Sequence, residues 1–211
     1  MSVFQRSPMR GAVVVALVAI VGCAPPPNDE TDATQAEPAR AERATSSVAS
    51  PPEQPDDRPG GARAFDFLFG QWDVHNRYLP DRLVDSDEWA EWTGSLSVMP
   101  ILGGYGNVDR YLATPNGRPL EGYSIRVFDP EADAWSIHWV DSRGFRLTPQ
   151  VQGSMGPNNG TFYGEEEFDG RTVRMRFTWS HDSPDRARWE QAYQRNDGTW
   201  ETNWTMDFTR R

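Results

Sequence analysis

Apolar and polar residues alternate along most of the chain after residue 64. In segment 173–179, apolar residues take every second position, and Arg or Thr stands between them. A period of two residues is typical of a β-strand with one buried face, whereas an amphipathic helix repeats every 3.6 residues. Segments 135–139 and 200–208 show the same alternation. This part of the chain is therefore predicted to be all-β.

Turn-forming residues separate these segments at the spacing of β-hairpins. Asn116-Gly117 and Asp169-Gly170 both favour tight turns. A single open layer of this length would leave an apolar face in water, so we expect an antiparallel up-and-down β-barrel closed on itself. A β-sandwich is the alternative, but it requires longer crossover connections. The pattern predicts about ten strands, at 71–79, 88–99, 106–113, 121–128, 134–140, 145–154, 160–168, 171–180, 186–195 and 199–209.

The beginning of the chain has a different composition. Two arginines precede an apolar run from Gly11 to Val21, which is shorter than the ~20 residues needed to span a bilayer. Residues 24–63 contain no aromatic residue and are rich in Pro, Ala and acidic residues, so they cannot repay the entropy of ordering. We predict a signal peptide in residues 1–22, a disordered tether in 23–63 and one barrel domain in 64–211.

The sequence Ile20-Val21-Gly22-Cys23 resembles the bacterial lipobox. In proteins with this signal, the Cys thiol is acylated and the Cys becomes the new N-terminus after cleavage. The resemblance implies lipid attachment at Cys23, and hence a membrane as partner. Ala24 follows instead of Asp, which by resemblance to Gram-negative lipoproteins implies an outer-membrane anchor facing the periplasm. A membrane-spanning anchor and a signal peptide with an unmodified Cys are the alternatives.

Composition excludes several kinds of chemistry. All 21 basic residues are Arg, so Schiff-base and P-loop lysines are excluded. Cys23 is the only Cys, which excludes intrachain disulfides. The formal net charge of −10 repels nucleic acids and anionic lipid surfaces, and no nucleic-acid partner is expected. Since no Gly-x-Ser-x-Gly motif is present either, no catalytic residue and no cofactor are predicted.

The three histidines do not suggest a metal or haem site. His75, His138 and His181 lie on separate predicted elements, without the spacing of paired metal ligands. The alternation also places His75 and His138 on the outer face. No metal site is therefore predicted.

Gly70-Gln71-Trp72 follows a short apolar segment at the start of the first predicted strand. This arrangement resembles the calycin superfamily of lipocalins and fatty-acid-binding proteins. The chain more closely resembles the uncharacterised bacterial family called domain of unknown function 1579. The resemblance implies a calycin-like barrel and no established activity, and it implies a structural role for Trp72 under Arg210 or Arg211. The similar stretches are Phe65–Val74, Leu102–Gly104, Asn107–Asp109, Trp135–Ile137, Arg188–Ala192 and Glu201–Trp204.

The alternation also predicts which side chains line the interior. If Trp72 and Val74 point inward, the inward rows include neutral hydrogen-bonding groups among aromatic rings, which is typical of a small-molecule pocket. The predicted ligand-binding residues are Asn76, Tyr78, Tyr123, Trp139, Gln191, Tyr193 and Thr202. Arg126, Arg174, Arg176, Arg188, Glu190 and Glu201 are expected to point outward. The absence of an inward Arg favours a neutral or aromatic ligand over a fatty acid.

Three functional hypotheses follow from these features. The first is a lipid-anchored envelope protein whose barrel binds a small apolar or aromatic molecule. The second is a structural or interaction protein of the envelope, with a packed barrel whose acidic outer surface carries the function. The third is an enzyme of the isomerase or cyclase type, which a deep pocket with an inward carboxylate or His would favour. The sequence predicts no particular protein partner.

Overall fold

The computed structural model describes residues 56–211, which form ten β-strands. The strands are β1 (Gly70–Tyr78), β2 (Ala90–Ile101), β3 (Gly106–Ala113), β4 (Leu120–Asp129), β5 (Ala134–Asp141), β6 (Val151–Met155), β7 (Asn159–Phe168), β8 (Arg171–Ser183), β9 (Arg186–Gln194) and β10 (Trp200–Arg210). The predicted number of strands is confirmed. The predicted signal peptide, Cys23 and most of the predicted tether lie outside the described residues.

The strands form one closed antiparallel barrel in which each strand pairs with its neighbours in sequence. Closure occurs between β1 and β10, where the paired positions run from Trp72 with Arg210 to Tyr78 with Trp204. Closure leaves no strand edge unpaired, which is the usual reason for a long meander to curl. The predicted up-and-down barrel is therefore confirmed.

Strand β6 is much shorter than the predicted strand 145–154. It pairs with β5 at three positions only, from Trp135 with Gly153 to Ile137 with Val151. The apolar residues Phe145 and Leu147 suggested a strand, but Phe145 has a φ of 51°, which is incompatible with an extended strand. Residues 142–150 instead form a loop at one end of the barrel.

Two short 3₁₀ helices, Gly60–Arg63 and Asp66–Leu68, precede β1 and fill the other end of the barrel. Phe65 and Leu68 are completely buried there. The indole Nε1 of Trp72 donates a hydrogen bond to the carbonyl oxygen of Leu68 at 2.7 Å. The guanidinium of Arg210 lies 4.1 Å from the centroid of the Trp72 ring system and donates to the carbonyl of Phe69. This end is therefore closed by apolar packing.

No helix within residues 56–211 is long and apolar enough to cross a membrane.

A β-bulge interrupts β10 and changes which of its side chains face inward. The register with β9 shifts between Thr202 and Trp204, so that Asn203 is the additional residue. A bulge of one residue reverses the alternation on one side of it. Glu201 consequently lies on the inner row and is buried, while Thr202 lies on the outer row. The predicted orientations of both residues are wrong for this reason.

Candidate functional site

The barrel encloses a cavity of about 510 Å³ in the half that lies away from the 3₁₀ helices. The loops β1–β2, β3–β4 and β5–β6 contribute side chains to its lining, including Pro80, Arg82, Asn116 and Pro149. The mouth of the cavity therefore lies at the end of the barrel that carries these loops, which is called here the loop end. The wall is rich in aromatic rings. These include Tyr78, Trp92, Tyr111, Trp139, Phe177, Trp189 and Trp204.

The structure brings together five of the seven predicted ligand-binding residues. Tyr78, Trp139 and Gln191 line the cavity. Asn76 is completely buried behind the wall, where its side-chain oxygen accepts a hydrogen bond from Trp204 Nε1 at 3.2 Å. Tyr193 is buried near the mouth. These residues lie on strands β1, β5 and β9, and β5 stands across the barrel from the other two strands.

The other two residues, Tyr123 and Thr202, face outward. The Tyr123 hydroxyl donates a hydrogen bond to the carboxylate of Glu121 on the outer surface, at 2.7 Å. Arg126, which was expected outside, lines the cavity instead. The predicted orientations of Tyr123 and Arg126 are therefore wrong, because the more apolar row of β4 covers the outside. Thr202 faces outward because of the bulge in β10.

A small residue marks the true inner row of β4. A Cβ atom at Gly122 would lie 2.1 Å from the Trp139 ring, so only glycine leaves room for this indole inside the barrel. The sequence contained this signal as a Gly-x-Ser-x-Arg row, Gly122 to Arg126, but the signal was weaker than the neighbouring apolar row. Trp92 and Tyr111, which both line the cavity, were missed for lack of a known register between strands.

An ion pair lies at the inner end of the cavity. Arg126 Nη2 is 2.7 Å from Asp109 Oδ2, and the residues are 3% and 1% exposed. Arg126 also donates to the side-chain oxygen of Asn107 at 2.9 Å, and its guanidinium carbon lies 5.3 Å from the centroid of the Trp179 ring. The Ser124 amide donates to Asp109 at 2.9 Å. The charge of Arg126 is thus neutralised by the protein itself.

A second polar cluster lies at the mouth. Arg82, on the loop between β1 and β2, donates to the Tyr193 hydroxyl at 2.6 Å. That hydroxyl donates in turn to the carboxylate of Glu166. Burial raises the pKa of Tyr193, Arg82 opposes this effect, and the hydrogen bond to Glu166 adds to it. The cluster therefore holds a neutral phenol between two opposite charges.

Tyr111 supplies a further neutral phenol in the wall. Its oxygen accepts a hydrogen bond from Trp92 Nε1 at 2.8 Å. Burial raises the pKa of Tyr111 to about 12, although hydrogen bonds from Trp92 and Asn76 favour the ionised form. Tyr111 is accordingly a neutral hydrogen-bonding group at physiological pH.

The formal charges around the cavity balance. Three arginines and three carboxylates line it, namely Arg82, Arg126, Arg143, Asp109, Asp141 and Glu166. Within residues 56–211, no group of three His, Cys, Asp or Glu side chains is arranged to hold a metal ion. The arrangement is suited to holding an uncharged molecule among aromatic rings, with a few polar groups to orient it.

The fold is similar to that of other solved proteins. The crystal structure of Rv2717c from M. tuberculosis has a TM-score of 0.50 and 12% sequence identity, and the similarity covers 74% of this chain and 99% of that chain. The S-type phycobiliprotein lyase CPES from Guillardia theta has a TM-score of 0.47 and 9% identity, with 70% and 90% covered. The similarity to Rv2717c shows a shared fold and does not indicate an activity. Among curated protein sequences, none matches this chain.

The profile of a family described as protein of unknown function (DUF1579) matches residues 63–210. This match begins before the second 3₁₀ helix and ends with the last residue of β10. It therefore includes the closed end, the cavity and all ten strands. Because the match covers more than half of the chain, the protein belongs to the DUF1579 family.

Proposed function

We propose that the barrel binds a small apolar or aromatic molecule in its cavity. The observation that carries this proposal is the aromatic-lined space of about 510 Å³ with a mouth at the loop end. Ligand sites of proteins are typically about 300–1,000 Å³, mostly apolar, and equipped with a few polar groups. A packed barrel acting only through its outer surface would not need this space.

The inner end of the cavity favours a ligand with a hydrogen-bond acceptor. Arg126 Nε and Trp179 Nε1 are buried and have no hydrogen-bond partner among the described residues. Burying an N–H group without an acceptor costs about 1–3 kcal/mol, which a ligand oxygen would recover. A carboxylate ligand would compete with Asp109 for Arg126. We therefore expect an uncharged ligand with a carbonyl or ether oxygen at its inner end.

A cavity-filling substitution tests ligand binding. Ser124 lines the cavity, so Ser124→Phe places a ring in the space that the ligand would occupy. We expect the affinity for a neutral fluorescent probe, phenylnaphthylamine, to fall about tenfold or more, because an already packed wall accommodates added volume poorly. The measurement is a fluorescence titration of both proteins, with circular dichroism to verify that each is folded.

The matched control is Ser136→Phe. Ser136 lies on the neighbouring strand β5 between the inward residues Trp135 and Ile137, and therefore faces outward. It should bind the probe as the unsubstituted protein does. Equal affinity in all three proteins, or equal loss in both variants, would contradict binding in the cavity.

A second candidate is an enzyme of the isomerase type, and the inward carboxylates favour it. Glu166 lines the cavity and is hydrogen-bonded to the Tyr193 hydroxyl, so it could exchange a proton with a bound molecule. The test is mass spectrometry of the bound molecule after incubation of the protein in heavy water. Deuterium on ligand carbon that disappears in Glu166→Gln would support this candidate, and its absence would favour a binding protein.

We also propose that the protein is exported and anchored in the outer membrane through lipidated Cys23, with the domain facing the periplasm. The support is the sequence Ile20-Val21-Gly22-Cys23 at the end of the apolar run, with Ala24 after it. Metabolic labelling with a clickable fatty acid tests the proposal. Cys23→Ala should remove the label and the protein from the membrane fraction, and an unchanged fractionation would contradict the anchor.

A further inference from the structure

The loop 142–150 between β5 and β6, called here the mouth loop, carries two exposed apolar side chains. Phe145 is 81% exposed and Leu147 is 56% exposed. The loop follows the end of β5 that lies beside the cavity, and Arg143 and Pro149 line that cavity. Large apolar side chains that are grouped and exposed commonly mark an interaction surface.

The backbone of the mouth loop is held firmly at both ends. One carboxylate oxygen of Asp141 accepts hydrogen bonds from the amides of Arg143 and Gly144, each at 2.8 Å, and the Asp141 carbonyl accepts from the Phe145 amide at 2.9 Å. The Thr148 amide donates to the carbonyl of Trp139 at 2.7 Å. The exposure of Phe145 is thus imposed by an ordered turn.

Three arginines lie on the mouth loop and on the loop beside it. Arg143 and Arg146 belong to the mouth loop, and Arg118 belongs to the adjacent β3–β4 loop, where its carbonyl accepts a hydrogen bond from Arg143 at 3.2 Å. All three are exposed, and none forms a salt bridge within residues 56–211. Neither 114–119 nor 142–150 contains an acidic residue.

This local charge is opposite to that of the chain, whose net charge is −10. The acidic side chains between Asp81 and Glu88 lie on the β1–β2 loop, which β3 and β4 separate from the mouth loop. Carboxylates also lie near the mouth loop, namely Asp141 at its base and Glu165 to Glu167 on β7, where Gly164 approaches the carbonyl of Gln150. Salt at physiological strength screens exposed charges beyond about 8 Å, so a phosphate at Phe145 is affected most by the groups in the loop itself. Lipid phosphates at this surface would therefore meet arginines whose charge no salt bridge within residues 56–211 neutralises.

We propose that the mouth loop docks on a bilayer surface that contains anionic phospholipids. Phe145 and Leu147 enter the interface between headgroups and acyl chains, while Arg118, Arg143 and Arg146 contact lipid phosphates. Docking in this orientation turns the mouth of the cavity towards the membrane. If the cavity binds an apolar molecule as proposed above, that molecule can pass between bilayer and barrel without crossing water, but docking itself does not depend on this.

A site-specific probe tests the docking directly. Cys23 is the only cysteine, so the full chain with Cys23→Ser and Phe145→Cys carries a polarity-sensitive fluorophore at one position. Met99→Cys in the same background is the matched control, because Met99 is 60% exposed near the other end of the barrel. Both proteins are mixed with vesicles of phosphatidylcholine alone or with phosphatidylglycerol added.

With phosphatidylglycerol present, we expect a blue shift and quenching by bilayer-borne nitroxide at position 145 but not at position 99. Replacing Arg143 and Arg146 by Gln in the labelled protein should weaken this response about 25-fold, since each Arg near an anionic surface contributes about fivefold. No shift at position 145, an equal shift at position 99, or an unchanged response in the Gln variant would each overturn the proposal. A shift that rises with protein concentration without vesicles would show docking on a second copy and overturn it as well.

Discussion

Removing one partner of the buried ion pair should destabilise the barrel strongly. Asp109→Ala leaves the guanidinium of Arg126 at 3% exposure with Asn107 as its remaining hydrogen-bond partner. Breaking a buried pair by removing one partner costs about 3–5 kcal/mol, because an uncompensated charge stays buried. The variant also loses the 2.9 Å hydrogen bond from the Ser124 amide to Asp109. We therefore expect the free energy of unfolding to fall by about 4 kcal/mol.

The double variant Asp109→Leu, Arg126→Met distinguishes the effect of the buried charge on stability from the effect of side-chain packing. Replacing both members of a buried pair by apolar residues of similar size is commonly neutral, or stabilising by about 1–4 kcal/mol. The double variant should consequently be more stable than Asp109→Leu or Arg126→Met alone, with a coupling of at least about 2 kcal/mol.

Urea unfolding of the unsubstituted protein, Asp109→Ala, Asp109→Leu, Arg126→Met and the double variant, followed by tryptophan fluorescence, measures these differences. The slope of the free energy of unfolding against urea concentration should be the same in all of these proteins, so that differences between their midpoints report differences in stability. A loss below about 1 kcal/mol for Asp109→Ala would refute the reasoning, because an exposed pair contributes no more than this.

Three further predictions concern other parts of the barrel. Trp72→Ala should lower the free energy of unfolding by about 3–5 kcal/mol in the same urea assay, and a near-neutral result would contradict burial of the indole under Arg210. Because the pKa of Tyr111 rises from 10.0 to about 12 on folding, the unfolded phenol loses its proton first. Stability should therefore fall by about 2–3 kcal/mol as the pH rises from 10 to 12, and pH-dependent unfolding of Tyr111→Phe should lack this component. Glu201→Ala should cost about 1–3 kcal/mol, whereas Thr202→Ala should stay within about 0.5 kcal/mol, and equal thermal stabilities would contradict the bulge in β10.

The sequence was sufficient to predict ten strands and their closure. Alternating apolar residues and hairpin turns are local signals, and an unpaired meander of this length must close to bury its apolar face. The loop around Phe145 was predicted as a strand because its spacing is that of a strand. The φ of 51° at Phe145 and the hydrogen bonds that the Asp141 and Thr148 side chains accept from backbone amides show that it is a loop.

The site residues that could be predicted are those whose orientation follows from the alternation within a single strand. Tyr78, Trp139 and Gln191 each continue an unambiguous apolar row into the cavity. Arg126 could not be placed in this way, because a buried Arg is tolerated only beside a carboxylate, and the pairing that brings Asp109 next to Ser124 is a property of two strands. The reversal at Asn203 likewise depends on the pairing of β9 with β10.

Native mass spectrometry of the protein, purified from the cells that naturally produce it, tests the central claim most directly. The intact mass under gentle conditions is compared with the mass after denaturation. We predict a discrete additional mass that is released on denaturation and reduced in the Ser124→Phe variant, because the aromatic cavity retains a small uncharged molecule. A bare protein mass under repeated gentle conditions, or an additional mass unaffected by filling the cavity, would contradict ligand binding inside the barrel.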